Sequence, residues 1–94
     1  MARASYNGHT LADSDKYEVV EGNLYFPPES VDLTSFTESV LETVCPWKGV
    51  ASYLNLVVDG KELSDIAWYY PEPKSDASHI KGYIAFYPQV TVEI

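Results

Sequence analysis

Val50–Tyr70 reads VASYLNLVVDGKELSDIAWYY and carries the strongest fold signal of the chain. Two arms rich in β-branched, aliphatic and aromatic residues flank Asp59-Gly60. Such arms favour strands, and Asp-Gly between them suits a type I′ turn, whose two central residues both take positive φ. The segment therefore predicts a hairpin in which Val50–Val58 turns at Asp59-Gly60 into Glu62–Tyr70. A two-residue loop sets Val58 opposite Lys61. Counting back puts Tyr53 opposite Ile66, Ala51 opposite Trp68 and Gly49 opposite Tyr70. Opposed residues share a face, so Tyr53, Ile66, Trp68 and Tyr70 gather around two small residues, Gly49 and Ala51. The missing side chains leave either a cavity or a socket for another part of the core. A bulge near Ser64-Asp65 would shift the pairing by one residue and turn the aromatics to the opposite face.

The rest of the chain has the same texture. Short runs of Tyr, Val, Ile and Phe are separated by Asn7-Gly8, Glu21-Gly22-Asn23, Pro27-Pro28, Pro71 and Pro73, Gly82, and Pro88-Gln89. This spacing predicts hairpins. Arg3–Tyr6 turns at Asn7-Gly8 into Thr10–Ala12, and Tyr17–Glu21 turns at Gly22-Asn23 into Leu24–Phe26. The segment LTSFTESVL, Leu33–Leu41, is ambiguous. Leu33, Phe36, Val40 and Leu41 fit a helical spacing, but Thr and Ser lie between them. A helical turn near Leu33–Phe36 and a short strand at Glu42–Val44 are expected, with a second helical turn at Ser75–Ile80 capped by Ser75 or Asp76. Tyr83–Tyr87 and Val90–Ile94 are expected to close the chain as a last hairpin. The expected fold class is all-β, a compact antiparallel single domain over residues 1–94 with seven to nine short strands and one or two helical turns.

Composition excludes several functions. Fourteen acidic residues face six basic ones, and the net charge of −8 repels a phosphate backbone, so no nucleic-acid partner is expected. No apolar run reaches the roughly 20 residues of a membrane span. The start of the chain, MARASYNGHT, has no apolar core of a signal peptide. A cytoplasmic protein without a membrane partner, monomeric or weakly dimeric, is the expectation. Cys45 is the single cysteine and the histidines are His9 and His79. They are scattered and lack ligand spacing, so no metal and no cofactor are expected.

The candidate site residues cluster near Cys45. Lys48 stands between Trp47 and Gly49, in a chain with only six basic residues. Its ammonium at the rim of the aromatic face would pair with an anionic group or sit over a ring. The bland alternative is a solvated lysine whose stem covers Trp47. Eight tyrosines is a high count for 94 residues, and each buried phenol needs a partner. Phenols converging on one cavity suit a polar or aromatic small molecule. Cys45 reads either as a nucleophile activated by Lys48 or as a small buried hydrophobe. His79 and Asp13-Ser14 read as surface and turn residues.

Three ordered motifs carry a family resemblance. They are Cys45-Pro46-Trp47-Lys48-Gly49-Val50-Ala51-Ser52-Tyr53, Ala67-Trp68-Tyr69-Tyr70-Pro71-Glu72-Pro73, and Ile80-Lys81-Gly82-Tyr83-Ile84-Ala85-Phe86-Tyr87. With Ala12-Asp13-Ser14 and Leu24-Tyr25-Phe26-Pro27 they resemble the DUF427 family over nearly the whole chain. The resemblance implies a β-tent type of all-β fold. It also implies a nucleotidyltransferase label, which some members carry. Such transfer calls for clustered carboxylates that hold Mg²⁺ and for donors that cradle a triphosphate.

The leading functional expectation is a small-ligand binding module with an aromatic pocket lined by Trp47, Lys48, Tyr53, Trp68 and Tyr70. Its ligand and any catalytic residue are unknown at this level. A second expectation is an enzyme using the same pocket, through the Cys45 thiol, through Lys48, or through nucleotidyl transfer. A third is a protein–protein adaptor with an exposed aromatic patch.

Overall fold

The computed structural model describes residues 1–94. Nine strands form β1 (Ala2–Tyr6), β2 (His9–Ser14), β3 (Glu18–Val20), β4 (Asn23–Tyr25), β5 (Phe36–Cys45), β6 (Gly49–Val58), β7 (Lys61–Tyr69), β8 (Ile84–Phe86) and β9 (Thr91–Glu93). Three 3₁₀ segments, at Pro28–Ser30, Leu33–Ser35 and Ser75–Ile80, are the only helical structure. The fold is all-β as expected, with one more helical turn than the sequence suggested. Every strand pairing is antiparallel, in three sheets ordered β2-β1-β9, β3-β4 and β5-β6-β7-β8.

The β6–β7 hairpin forms at Asp59-Gly60, where φ is +52° and +76°, and Val58 pairs with Lys61. Further along, the register departs from the simple count. Leu56 pairs with Leu63, but Leu54 pairs with Ala67, so Asn55 stands against Ser64, Asp65 and Ile66. Asp65 takes φ +56° in this bulge, and its N–H donates to Asn55 Oδ1 at 2.9 Å. The register therefore slips by two residues. A slip of two preserves the alternation of faces, whereas a slip of one would have inverted it. Tyr53 opposes Trp68 rather than Ile66, and both remain on the face expected for them. Ile66 leaves that face and packs in the larger core cluster.

β5 corrects the reading of Leu33–Leu41. Asp32 accepts the Thr34 N–H at 3.2 Å and the Ser35 hydroxyl at 3.1 Å, which supports a single 3₁₀ turn. From Phe36 the chain is a ten-residue strand, of which the expected Glu42–Val44 is only the end. Thr37, Val40, Thr43 and Val44 are β-branched, which favours strand over helix. β5 is an edge strand with its own bulge between Glu38 and Glu42. The Ser39 hydroxyl, in that bulge, donates to Asp65 in the bulge of β7, so the irregularities on either side of β6 are tied together.

Three smaller expectations also change. The β3–β4 turn is Glu21-Gly22, with φ +53° and +80°, one residue earlier than read. The Ser75–Ile80 segment follows Lys74 and has no side-chain cap. The C-terminal hairpin does not form. β8 pairs with β7, and β9 pairs with β1 in another sheet. Neither Pro88 nor Gln89 adopts the positive φ that a tight hairpin needs. Instead the Val90 N–H closes a turn on the Tyr87 carbonyl at 3.0 Å.

The four-stranded sheet divides the core. Leu54, Ala67 and Phe86 form one cross-strand row, and Tyr53, Trp68 and Ala85 form the next. Successive residues of a strand face opposite ways. The first row belongs to the larger cluster, which includes Leu11, Phe26, Leu56 and Ile84. The second belongs to a smaller cluster with Tyr25, Ala51, Tyr70 and Ile80. No helix is long and apolar enough to cross a membrane.

Candidate functional site

Lys48 sits at the turn between β5 and β6, just before the Cys45–Gly49 pairing closes. It is 6% exposed and the only charged residue among the buried set. A buried ammonium requires a partner. Lys48 Nζ donates to Glu21 Oε1, in the β3–β4 turn. The ammonium also lies 5.3 Å from the centre of the Trp47 ring and 5.6 Å from that of Tyr70. Trp47 Nε1 donates to Glu21 Oε2 at 3.3 Å, so one carboxylate takes donors from two consecutive residues. These hydrogen bonds, first from Lys48 and then from Trp47, hold the Glu21 carboxyl below its ordinary pKa. Burial alone would lower the Lys48 pKa. The hydrogen bond to Glu21 and the neighbouring Tyr25 and Tyr70 outweigh it, leaving the ammonium above its usual value.

The space expected beside Gly49 and Ala51 is a socket rather than a cavity. Gly49 takes φ +114°, and a Cβ there would stand 3.5 Å from both the Glu72 carbonyl oxygen and the Lys74 nitrogen. The Pro71–Lys74 segment thus lies directly on Gly49. It is held by the Lys74 N–H on the Lys48 carbonyl at 2.9 Å and by Lys74 Nζ on the Pro46 carbonyl at 2.7 Å. Ala51 packs in the cluster of Tyr70, Ala77 and Ile80.

The five expected pocket residues divide into two groups. Trp47, Lys48 and Tyr70 surround the Glu21 ion pair. Tyr53 and Trp68 instead meet Tyr87. Trp68 and Tyr87 have ring centres 4.7 Å apart at 53°, while Tyr53 and Tyr87 stack at 6.5 Å and 13°. Trp68 Nε1 donates to the Tyr25 hydroxyl at 3.1 Å, and the Tyr53 and Thr43 hydroxyls share a hydrogen bond of 2.8 Å. The phenol of Tyr87 is pushed up to about 12 by the neighbouring Tyr53 phenol, then by burial. Burial likewise raises Tyr70. Cys45 is half-buried against the smaller cluster, and His79 is exposed.

Trp68 is the one expected residue that opens onto a concave surface. With Phe86 and Tyr87 it floors a groove of about 670 Å³. Gly22, Asn23 and Leu24 form one wall; Pro88, Val90, Val92 and Ile94 line the rest. Seven of the ten lining residues are hydrophobic, which suits an apolar or aromatic guest. Glu21 immediately precedes the first wall. Lys48 does not line the groove and connects to it only through its pair with Glu21.

Sequence reasoning missed Glu21, Leu24 and the C-terminal residues of this groove. Glu21 is separated from Lys48 by 27 positions, and nothing local marks the pairing. The C-terminal wall depends on β9 joining β1, a pairing hidden by the expected hairpin. The Glu21-Gly22-Asn23 turn run was the one sequence cue near the other wall, Gly22–Leu24.

The chain belongs to the family described as a domain of unknown function, DUF427, whose model matches residues 1–94 under a name that denotes nucleotidyl transfer. No curated protein matches it.

Proposed function

We propose that this DUF427 chain is a small-ligand binding module whose guest lies in the groove against Trp68 and Tyr87. The observation that carries the reading is the Trp68–Tyr87 pair, 4.7 Å between ring centres, set in the floor of a largely apolar groove. Tyr87 is 38% exposed and lines the groove, which leaves it accessible to a guest. A planar, neutral molecule is the matching class: the net charge of −8 disfavours anions, and stacking on Trp or Tyr needs a flat partner. Lys48 then serves binding indirectly, by holding the Glu21 turn that begins the groove wall.

The enzyme readings receive less support from the same geometry. The Lys48 ammonium is engaged by Glu21. No three His, Cys, Asp or Glu side chains are grouped as a metal-dependent nucleotidyl transfer would require.

The test uses a Trp47→Phe variant, which leaves Trp68 as the sole tryptophan, titrated with the neutral planar probe coumarin. The Trp68 indole N–H resonance should shift saturably. Ile94→Glu, at an exposed position on the groove, should weaken binding at least tenfold, about 1.4 kcal/mol. An indole resonance unmoved at saturating coumarin would refute the groove as a ligand site.

A further inference from the structure

On the opposite side of the sheet, Tyr69 faces a second cleft, of about 540 Å³. Trp68 and Tyr69 are successive residues of β7, so one strand serves both concavities. The cleft has an apolar floor containing Leu54 and Ile84, which are 5% and 3% exposed. Pro28, Leu33 and Pro71 add apolar walls. Its only charged lining residues are Glu38 and Lys81.

These two charges have opposite sign, and neither takes part in any of the three ion pairs of the molecule. Glu38 is oriented by Tyr69, whose hydroxyl donates to Oε1 at 3.1 Å and to Oε2 at 3.4 Å. An ionised carboxylate has about four acceptor sites, so one phenol leaves capacity for an ammonium donor. The Tyr69 phenol is held above its ordinary pKa, first by burial and then by Glu38, and so stays a donor at neutral pH. Lys81 is anchored through its backbone. Its N–H donates to the Ser78 carbonyl at 3.2 Å, and the next N–H, of Gly82, donates to the Tyr70 carbonyl at 3.0 Å. Gly82 takes φ +74°, and a Cβ there would touch Pro28 at 3.9 Å.

An apolar floor between two unpaired opposite charges is complementary to a molecule with the reverse arrangement. We propose that this cleft binds a small zwitterion, its ammonium on Glu38 beside Tyr69, its carboxylate on Lys81, and an aliphatic body over Leu54 and Ile84. The assignment is independent of the groove at Trp68.

The probes are the straight-chain ω-amino acids from glycine to 6-aminohexanoate, each compared with the n-alkylamine and the n-alkanoate of matching length. Methyl resonances of Leu54 and Ile84 report occupancy. One chain length should bind with a dissociation constant of about 1 mM or tighter, and the matching amine and alkanoate at least tenfold more weakly. Glu38→Lys and Lys81→Glu should each abolish the response, and the double charge swap should restore it with the probe reversed. Both positions are exposed, and far-UV circular dichroism establishes that the variants fold. The proposal is overturned if no chain length moves these methyls, if the amine alone binds as tightly as the amino acid, or if the single swaps bind like the parent.

Discussion

Lys48 and Glu21, 27 positions apart, are joined by an ion pair that ties the turn before β6 to the turn between β3 and β4. The two partners are unequal. The Lys48 side chain is 7% exposed and that of Glu21 is 52% exposed. Losing one partner therefore does not equal losing the other.

Lys48→Met keeps most of the stem over Trp47 and Tyr70 and leaves Glu21 free to hydrate. It should cost about 1 kcal/mol, the net scale of one hydrogen bond. Glu21→Gln strands a buried ammonium without its carboxylate and should be the more destabilising change. Urea unfolding of the two variants at neutral pH checks the order. An equal or reversed ranking would mean that the ammonium hydrates freely in the folded chain.

The pair also sets a pH window. Glu21 has a folded pKa below its ordinary 4.5, so its contribution is present above that value and is lost as pH falls through the lowered one. Lys48 has a folded pKa above its ordinary 10.5, so its contribution is present below 10.5 and lost as pH rises through the raised value. The difference in unfolding midpoint between the parent and Glu21→Gln should stay level between these limits and shrink on the acid side. A difference that persists after the carboxylate is protonated would show that the substitution acts through shape.

Tyr87 should be among the last tyrosines to ionise. Its pKa is pushed up to about 12 from 10.0, so the neutral phenol stabilises the fold fully below pH 10.0 and the contribution is lost as pH rises through about 12. Following phenolate absorbance in alkali, Tyr87→Phe should remove a step near the top of the titration. Loss of an early step instead would place the Tyr87 phenol away from that of Tyr53.

Gly49→Ala should cost about 1–3 kcal/mol, because φ +114° is a conformation that residues with a Cβ rarely adopt; the 3.5 Å approach to the Glu72–Lys74 backbone is ordinary contact. Gly60 also has positive φ, but its +76° lies near the left-handed region that other residues can enter. Gly60→Ala should therefore be the milder change. Thermal unfolding of the two variants compares them, and equal losses would show that the backbone at Gly49 relaxes to an angle that alanine tolerates.

What the residues determined by themselves is local. Asp59-Gly60 dictates its own backbone angles, and with them the β6–β7 hairpin and the pairing of Val58 with Lys61. Alternation along β6 and β7 places Tyr53, Trp68 and Tyr70 on the side away from Leu54 and Ala67, and the two-residue slip at Asp65 leaves that parity intact. The buried partner of Lys48, the filling of the Gly49 socket and the wall formed by Val90, Val92 and Ile94 were decided only in three dimensions. Each depends on which distant segment arrives: the Glu21 turn, the Pro71–Lys74 segment, or β9 on the edge of β1. Turn chemistry and side-chain alternation act over a few bonds and are written in neighbouring residues. The pairing of distant surfaces is chosen by the burial it achieves as a whole, and no short stretch of sequence carries that sum.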